Sequence, residues 1–216
     1  MATPLSFRRK LPSIYPITDK TLAGKASHLA IVRELVRGGA RLVQVRDKQT
    51  PVRELLLDLQ RCAEYCDRHD VVMIVDDRCD LALSAGASGV HLGQEDLPPE
   101  AARKILGDSA IIGYSTHSLR QIRRASSSPI QYAGFGPIYL TSTKLRPSPV
   151  VGVSGLRKAC RASRVPVAAI GGIGAAQVLE VLDAGAASAA VISAVMACGD
   201  IAKSMERLLR IARARE

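Results

Sequence analysis

The sequence has no tryptophan, and its five tyrosines and two phenylalanines make up only 3% of 216 residues. So few aromatic side chains cannot furnish a stacking platform that grips single-stranded nucleic acid. No apolar run approaches the ~20 residues that a membrane helix needs. The N-terminal stretch MATPLSFRRKLPSIYPITD is basic but lacks the apolar core of a secretory signal. Cysteine is scarce and odd in number: Cys62, Cys66, Cys79, Cys160 and Cys198. Without a signal, that pattern reads as reduced thiols and a cytoplasmic protein. No Walker motif, zinc-ligand spacing or Ser-His-Asp set stands out. What the chain does have is 47% hydrophobic residues, too many for disorder, and a formal charge of +10 from 30 Lys+Arg against 20 Asp+Glu. Its length suits one large domain or two small ones, and a chain this long needs no disulfide or structural metal to fold.

Cys62 and Cys66 are four apart, as two ligands on one helix could be. They also fall on an apolar stripe, Val52, Leu55, Leu56, Leu59, Cys62, Ala63 and Cys66. The spacing therefore favours core thiols over a metal pair.

Short apolar runs alternate with amphipathic stretches from end to end. The runs are Ile14–Thr18, Leu42–Val45, Val71–Val75, Gly89–Leu92, Ala110–Gly113, Gln131–Phe135, Val167–Ile170 and Ala189–Ile192. Gly-Ala signals at Gly38-Gly39-Ala40, Gly86-Ala87 and Gly185-Ala186 mark helix ends. Strand–helix alternation implies parallel strands with helical crossovers, and eight units is the number that closes a (β/α)8 TIM barrel. An open doubly wound sheet is disfavoured, because no dinucleotide-type glycine motif follows the first run. Residues 1–12 read as a basic N-terminal extension and residues 13–216 as one barrel domain.

In such a barrel the loops after the strands build the active site. The unusual polar residues fall there: Thr18-Asp19, then Gln44-Val45-Arg46-Asp47-Lys48, Asp76-Asp77-Arg78 and His91-Leu92-Gly93-Gln94-Glu95-Asp96, followed by Ser115-Thr116-His117 and a long loop from Gly134 through Lys144. Strand alternation puts Gln44, Arg46 and Lys48 on one face. An amide beside two cations suits an anion carried on a hydrogen-bonding heterocycle. Asp77 and Asp96 can be helix caps. Beside Arg46, Lys48 and Lys144 they better suit magnesium, which takes a few carboxylates together with phosphate oxygens. His117 reads as orienting a loop rather than as a general base. Gly171-Gly172 and Ile192-Ser193, after the seventh and eighth strands, suit a second phosphate. Two anion sites at one mouth suggest joining a diphosphate-activated fragment to a phosphorylated one, with no protein nucleophile.

These segments resemble the thiamine-phosphate synthase (thiamine-phosphate pyrophosphorylase) family. The match comprises Tyr15-Pro16-Ile17-Thr18-Asp19, Gln44 to Lys48, Asp77-Arg78, Gly89 to Asp96, Gly134 to Tyr139, Thr141 to Lys144, Gly171-Gly172-Ile173 and Ile192-Ser193, in family order. The resemblance implies Mg2+-dependent condensation of 4-amino-5-hydroxymethyl-2-methylpyrimidine diphosphate with a thiazole phosphate, by a dissociative route. It implies that Gln44, Val45, Arg46, Asp47, Lys48, Asp76, Ser115 and Lys144 bind the pyrimidine diphosphate. It places Thr141, Ser142, Thr143, Gly172, Ile192 and Ser193 on the thiazole phosphate, and Asp77 and Asp96 on the metal. Arg46, Lys48 and Lys144 would act electrostatically. The chain departs from the family pattern at Asp76 (usually Asn), Leu140 (Pro), Gln131 (Asp) and Ser88 (Asp). The competing readings are a thiazole tautomerase-like paralogue, which typically loses the Gln-x-Arg-x-Lys, Gln-Glu-Asp and Thr-x-Thr-Lys features present here, and a non-catalytic phosphate-binding barrel. The expected partners are small phosphorylated molecules, with no nucleic acid and no membrane. Most of the +10 lies on Arg8-Arg9-Lys10, on Arg120, Arg123 and Arg124, and on the last helix, away from the mouth.

Overall fold

The computed structural model describes residues 11–141 and 149–215. Among them the chain runs β1 (Ile14–Pro16), α1 (Lys20–Ala23), α2 (His28–Arg37), β2 (Leu42–Val45), α3 (Val52–Arg68), β3 (Val72–Asp76), α4 (Cys79–Ala85), β4 (Gly89–Leu92) and α5 (Pro99–Leu106). It continues through β5 (Ile111–Thr116), α6 (Leu119–Ala125), β6 (Tyr132–Phe135), α7 (Gly152–Ala162), β7 (Val167–Ile170), α8 (Val178–Asp183), β8 (Ser188–Val191), α9 (Ser193–Met196) and α10 (Ile201–Arg213). The eight strands form one parallel sheet in which β2 to β8 pair in sequence order and β1 pairs with β8. The ring closes just past β1, where Ile17 bridges Gln44 and the Thr18 amide donates to the Gln44 carbonyl at 2.9 Å. This is the (β/α)8 barrel expected from the strand–helix alternation.

Alternation along each strand sorts side chains into two cores. One lies between sheet and helices and holds Ile14, Val43, Val45, Val75, Val90, Ile112 and Ala133 with the helix stripes. The other fills the barrel with Tyr15, Ile17, Leu42, Ile74, Ile111, Tyr132, Ala168 and Ala190. Helix α10 shows how a helix joins the first. Ile201, Met205, Leu208 and Ala212 recur at helical spacing and are buried, while the Asp200 carboxylate accepts the Lys203 amide and starts the helix. Each such aliphatic residue contributes roughly 1.5–3 kcal/mol by leaving water. Cys62, Cys66 and Cys79 are buried free thiols, and burial pushes the Cys66 thiol up to about 12. Cys62 and Cys66 are small core residues, as the stripe implied.

Three differences from the sequence reading have physical causes. Leu11, assigned to the extension, is 2% exposed and packs into the interior cluster. It precedes β1, so it stops the barrel at the end where the strands begin. Strand β5 runs on to Thr116, because Ser115 and Thr116 pair with Gly134 and Phe135, and the Thr116 hydroxyl donates to the Gly134 carbonyl at 2.7 Å. The four-residue helices α1 and α9 are too short to leave a periodic pattern. Of the described residues, no helix is long and apolar enough to cross a membrane.

Candidate active site

The end of β2 is the centre of the mouth. Gln44 faces the interior, 2% exposed, and donates from Nε2 to the Tyr15 hydroxyl at 2.9 Å. Arg46 and Lys48 follow on the same face. The Arg46 Nε lies 3.5 Å and the Lys48 Nζ 3.4 Å from the Asp76 carboxylate at the end of β3. Lys48 also pairs with Asp77.

The odd-numbered residues of this stretch point the other way. Val45 is buried in the core between sheet and helices. The Asp47 carboxylate, 4% exposed, accepts five donors. Its Oδ1 takes the Gln49 and Thr50 amides, each at 2.8 Å. Its Oδ2 takes His28 Nε2 at 2.9 Å, the Thr50 hydroxyl at 2.7 Å and Lys20 Nζ at 3.0 Å. The side chains of Val45 and Asp47, both assigned to the pyrimidine by resemblance, therefore support the strand end from behind. Burial pushes the Asp47 carboxyl up, but these donations outweigh it and hold it well below the usual range. Burial lowers His28 despite Asp47, so its ring is neutral near pH 7. With Nε2–H committed to Asp47, Nδ1 accepts the Thr18 hydroxyl at 2.8 Å, and Thr18 Oγ1 in turn accepts the Arg46 amide at 3.1 Å. The row Asp47–His28–Thr18 has the order of a nucleophile triad. Thr18 is 0% exposed and aimed at backbone, so the row positions Arg46 instead.

Three carboxylates share this rim. Burial pushes the Asp76 carboxyl up, Lys48 and Arg46 oppose it, and Asp96 adds to the rise. Where the family usually has Asn, Asp76 brings a carboxyl group, and Arg46 and Lys48 both lie against it. Asp77 sits at φ 61, a left-handed conformation uncommon outside glycine, with its amide donating to the His91 carbonyl at 2.8 Å. Asp96 Oδ2 accepts the Gly93 amide at 2.6 Å. Among the described residues no group of three or more His, Cys, Asp or Glu is arranged to hold a metal unaided.

Below the rim lies a row of neutral polar groups. The Tyr15 and Tyr132 hydroxyls are 2.7 Å apart, His91 Nδ1 is 3.0 Å from the Tyr132 hydroxyl, and His91 Nε2 is 2.9 Å from Ser115 Oγ. Desolvation pushes the His91 imidazole down to about 4, so it too is neutral near pH 7. Gln94 Nε2 donates to the Ser115 carbonyl at 2.5 Å. His117 Nδ1 donates to the Gly136 carbonyl at 2.7 Å, and its amide donates to Gln121 Oε1 at 2.7 Å. That is the loop-orienting role its position suggested.

On the opposite side of the mouth, the loop after β6 lies against the end of β7. The Ile138 amide donates to the Ile170 carbonyl at 2.9 Å and the Tyr139 amide to the Gly171 carbonyl at 3.0 Å. At Gly171, φ is 100 and an added Cβ would meet Pro137 Cβ at 2.5 Å. The backbone that glycine admits there is the chain's own loop. Gly172 is likewise crowded, by Leu140 O and Tyr139. Thr141 is described, whereas Ser142, Thr143 and Lys144 lie outside the described residues. Ile192 and Ser193 follow β8, with Ser193 opening α9.

A cavity of about 330 Å³ beside Arg46 and Lys48 is lined also by Lys20, Thr50 and Glu54. A larger one, about 550 Å³, lies among Arg103, Gln131 and Pro166, at the end where the strands begin and remote from these groups. Two departures from the family pattern keep an acceptor in place. Gln131 Oε1 accepts from Arg103 at 2.8 Å and from the Ile112 amide at 2.7 Å, and Ser88 Oγ accepts the Met73 amide at 3.2 Å. Leu140 is 87% exposed, so it packs against nothing that a proline would disturb.

The sequence profile of the family described as thiamine monophosphate synthase matches residues 14–195. The chain belongs to the thiamine-phosphate synthase family. It is 38% identical over 198 residues to thiamine-phosphate synthase 1 of Aquifex aeolicus, covering 92% of each chain. It is 41% identical over 194 residues to the thiamine-phosphate synthase of Methanospirillum hungatei, covering 90% of this chain and 94% of the relative. Among solved structures, thiamine phosphate pyrophosphorylase from Pyrococcus furiosus superposes with a TM-score of 0.86 at 37% identity, over 94% of this chain and 96% of that one. The family is one of transferases. Tryptophan synthase α-subunit from the same organism shares only the barrel, with a TM-score of 0.66 at 17% identity.

Proposed function

We propose that this barrel joins 4-amino-5-hydroxymethyl-2-methylpyrimidine diphosphate to 4-methyl-5-(2-phosphoethyl)thiazole, giving thiamine phosphate and pyrophosphate. The observation that carries the reading is the convergence of Arg46 and Lys48 on Asp76 at adjacent strand ends. Two cations are held at one point, where an incoming diphosphate can take over from the carboxylate as their partner. Gln44 and Ser115, deeper in the mouth, then face the pyrimidine. By the family resemblance, Thr141, Ser142, Thr143, Gly172, Ile192 and Ser193 are assigned to the thiazole phosphate and Lys144 to the diphosphate.

Breaking the C–O bond to the diphosphate sends its electron pair onto pyrophosphate and leaves a pyrimidine-methyl cation. The thiazole nitrogen lone pair then forms the new C–N bond. Arg46 and Lys48 stabilise the charge that develops on the leaving group, and no protein nucleophile takes part. Mg2+, when bound, neutralises leaving-group oxygens as a Lewis acid. The donor set fits it: Asp77 and Asp96 offer hard carboxylate oxygens in the small number that magnesium takes when phosphate and water complete its shell.

The test is pyrophosphate release from the two purified substrates. It should require both substrates and Mg2+, and Asp77→Asn should suppress Mg2+-dependent turnover while the circular dichroism spectrum is kept. Asparagine tolerates the left-handed conformation at this position. Unchanged turnover would remove Asp77 from the metal, and no pyrophosphate release at all from the unmodified protein would overturn the reading.

A further inference from the structure

The interior row runs across the barrel from β2 to β5: Gln44, Tyr15, Tyr132, His91 and Ser115. Its contacts are 2.9, 2.7, 3.0 and 2.9 Å. The barrel is shaped around it. A Cβ on Gly113 would meet Tyr132 Cζ and His91 Nδ1, and one on Gly134 would meet His91 Cε1 at 3.2 Å. Tyr15, Tyr132 and Gln44 are no more than 2% exposed, so their protons have to be shared among themselves.

The amide orientation sets the direction: Gln44 Nε2 donates to the Tyr15 hydroxyl at 2.9 Å. Tyr15 then gives its single proton to Tyr132, and Tyr132 gives its own to His91 Nδ1. The proton of neutral His91 is left on Nε2 and goes to Ser115 Oγ. In the reverse direction Tyr15 would donate to Gln44, which requires the amide oxygen where Nε2 stands. The forward direction leaves Gln44 Oε1 and the Ser115 O–H as the two free ends, one acceptor and one donor.

We propose that this row is a relay that fixes opposite hydrogen-bonding polarity at Gln44 and Ser115, so that the mouth selects a heterocycle with an amino donor beside a ring-nitrogen acceptor and rejects its oxo counterpart. Tyr15, Tyr132 and His91 are positioning residues, because they act through Gln44 and Ser115. The inference rests on the assignment of the pyrimidine to these two residues.

Tyr132→Phe keeps the ring and removes one hydroxyl. His91 Nδ1 loses its donor, so the imidazole can carry its proton on Nδ1 and turn Ser115 from donor to acceptor. The expected result is a KM for the aminopyrimidine diphosphate raised about five- to tenfold, with kcat and the thiazole-phosphate KM within about twofold. The inhibition constant of the 4-oxo analogue of that diphosphate should fall or hold, so the preference for amino over oxo narrows by at least about fivefold. A purely structural role would weaken both ligands alike and leave that ratio unchanged, which would overturn the proposal. Tyr15→Phe should move the ratio in the same direction, and covers the case in which Tyr132→Phe fails to fold. Gln44→Ala separates the two levels. If it raises the pyrimidine KM while both tyrosine variants leave the ratio untouched, the relay is wrong and the site stands. If Gln44→Ala also leaves that KM unchanged, the pyrimidine does not sit here and both fall.

Discussion

Asp47→Asn puts the support behind Arg46 to a direct test. The substitution keeps Oδ1, which accepts the Gln49 and Thr50 amides at 2.8 Å. It replaces Oδ2 with an NH2 group facing three donors: His28 Nε2, the Thr50 hydroxyl and Lys20 Nζ. Lys20 is 23% exposed, so water screens its share, whereas His28 and Asp47 are 1% and 4% exposed. Breaking a buried, hydrogen-bonded pair of this kind destabilises by about 3–5 kcal/mol. Urea unfolding at pH 7 should show that loss, and the diphosphate KM should rise as Thr18 loses its hold on the Arg46 amide. The pH dependence follows from the depressed Asp47 carboxyl. Its stabilisation is complete above the unfolded value of about 3.9 and is lost as pH falls below it, because the unfolded chain then binds a proton that the native carboxylate refuses. The gap between wild type and variant should therefore shrink by about 1 kcal/mol at pH 3. A loss under about 1 kcal/mol at pH 7 would refute the arrangement, since it falls below even one charge-assisted hydrogen bond.

Three further outcomes are expected. Gly171→Ala combines left-handed strain with a Cβ 2.5 Å from Pro137, and should cost roughly 2–5 kcal/mol in urea unfolding; a loss below about 1 kcal/mol would mean that the β6 loop gives way freely. With His91 held at about 4, wild-type stability should fall by about 3 kcal/mol as pH drops from 6.5 to 4, because the unfolded chain takes up the proton first. His91→Gln should flatten that descent, and a variant with the same slope would exclude His91 as its source. Asp76→Asn removes the carboxylate that competes for Arg46 and Lys48, so the diphosphate KM should fall roughly two- to fivefold, the range of a partly exposed ion pair; a tenfold rise would give Asp76 a binding role of its own.

Strands buried on both faces read as short apolar runs, which is why all eight were visible. Period-2 alternation placed Gln44, Arg46 and Lys48 together, and the same rule sorts the rest of that segment. A contiguous family segment includes Val45 and Asp47, yet their side chains leave by the opposite face. Strand β5 was cut short because Ser115 and Thr116 look like a loop, although the polar groups they offer are absorbed by the barrel interior. His28 opens α2 with nothing in its neighbourhood to mark it, and its partner Asp47 lies 19 residues away. Tyr15 and Tyr132 meet across 117 residues. A contact of that kind exists only once the ring has closed, so no local pattern carries it.

The two buried hydrogen-bond rows divide the work at the mouth by depth. The outer row, Asp47–His28–Thr18, ends on the Arg46 amide and holds the rim where charge is met by charge. The inner row uses only neutral groups and ends on Gln44 and Ser115. A diphosphate needs cations that hold their places before it arrives, since cations that moved to meet it would pay reorganisation during bond cleavage. A pyrimidine edge needs donors and acceptors of fixed sense, and an ionised group among them would attract the diphosphate instead of reading the ring. Keeping His91 and His28 neutral by burial serves both requirements. Both rows fasten onto β2, from its inner face at Gln44 and from its outer face at Asp47. Under the proposed assignment one strand end carries the phosphate contacts and the heterocycle contact in a fixed relation, and a shift of either row should disturb the other half of the pyrimidine substrate as well.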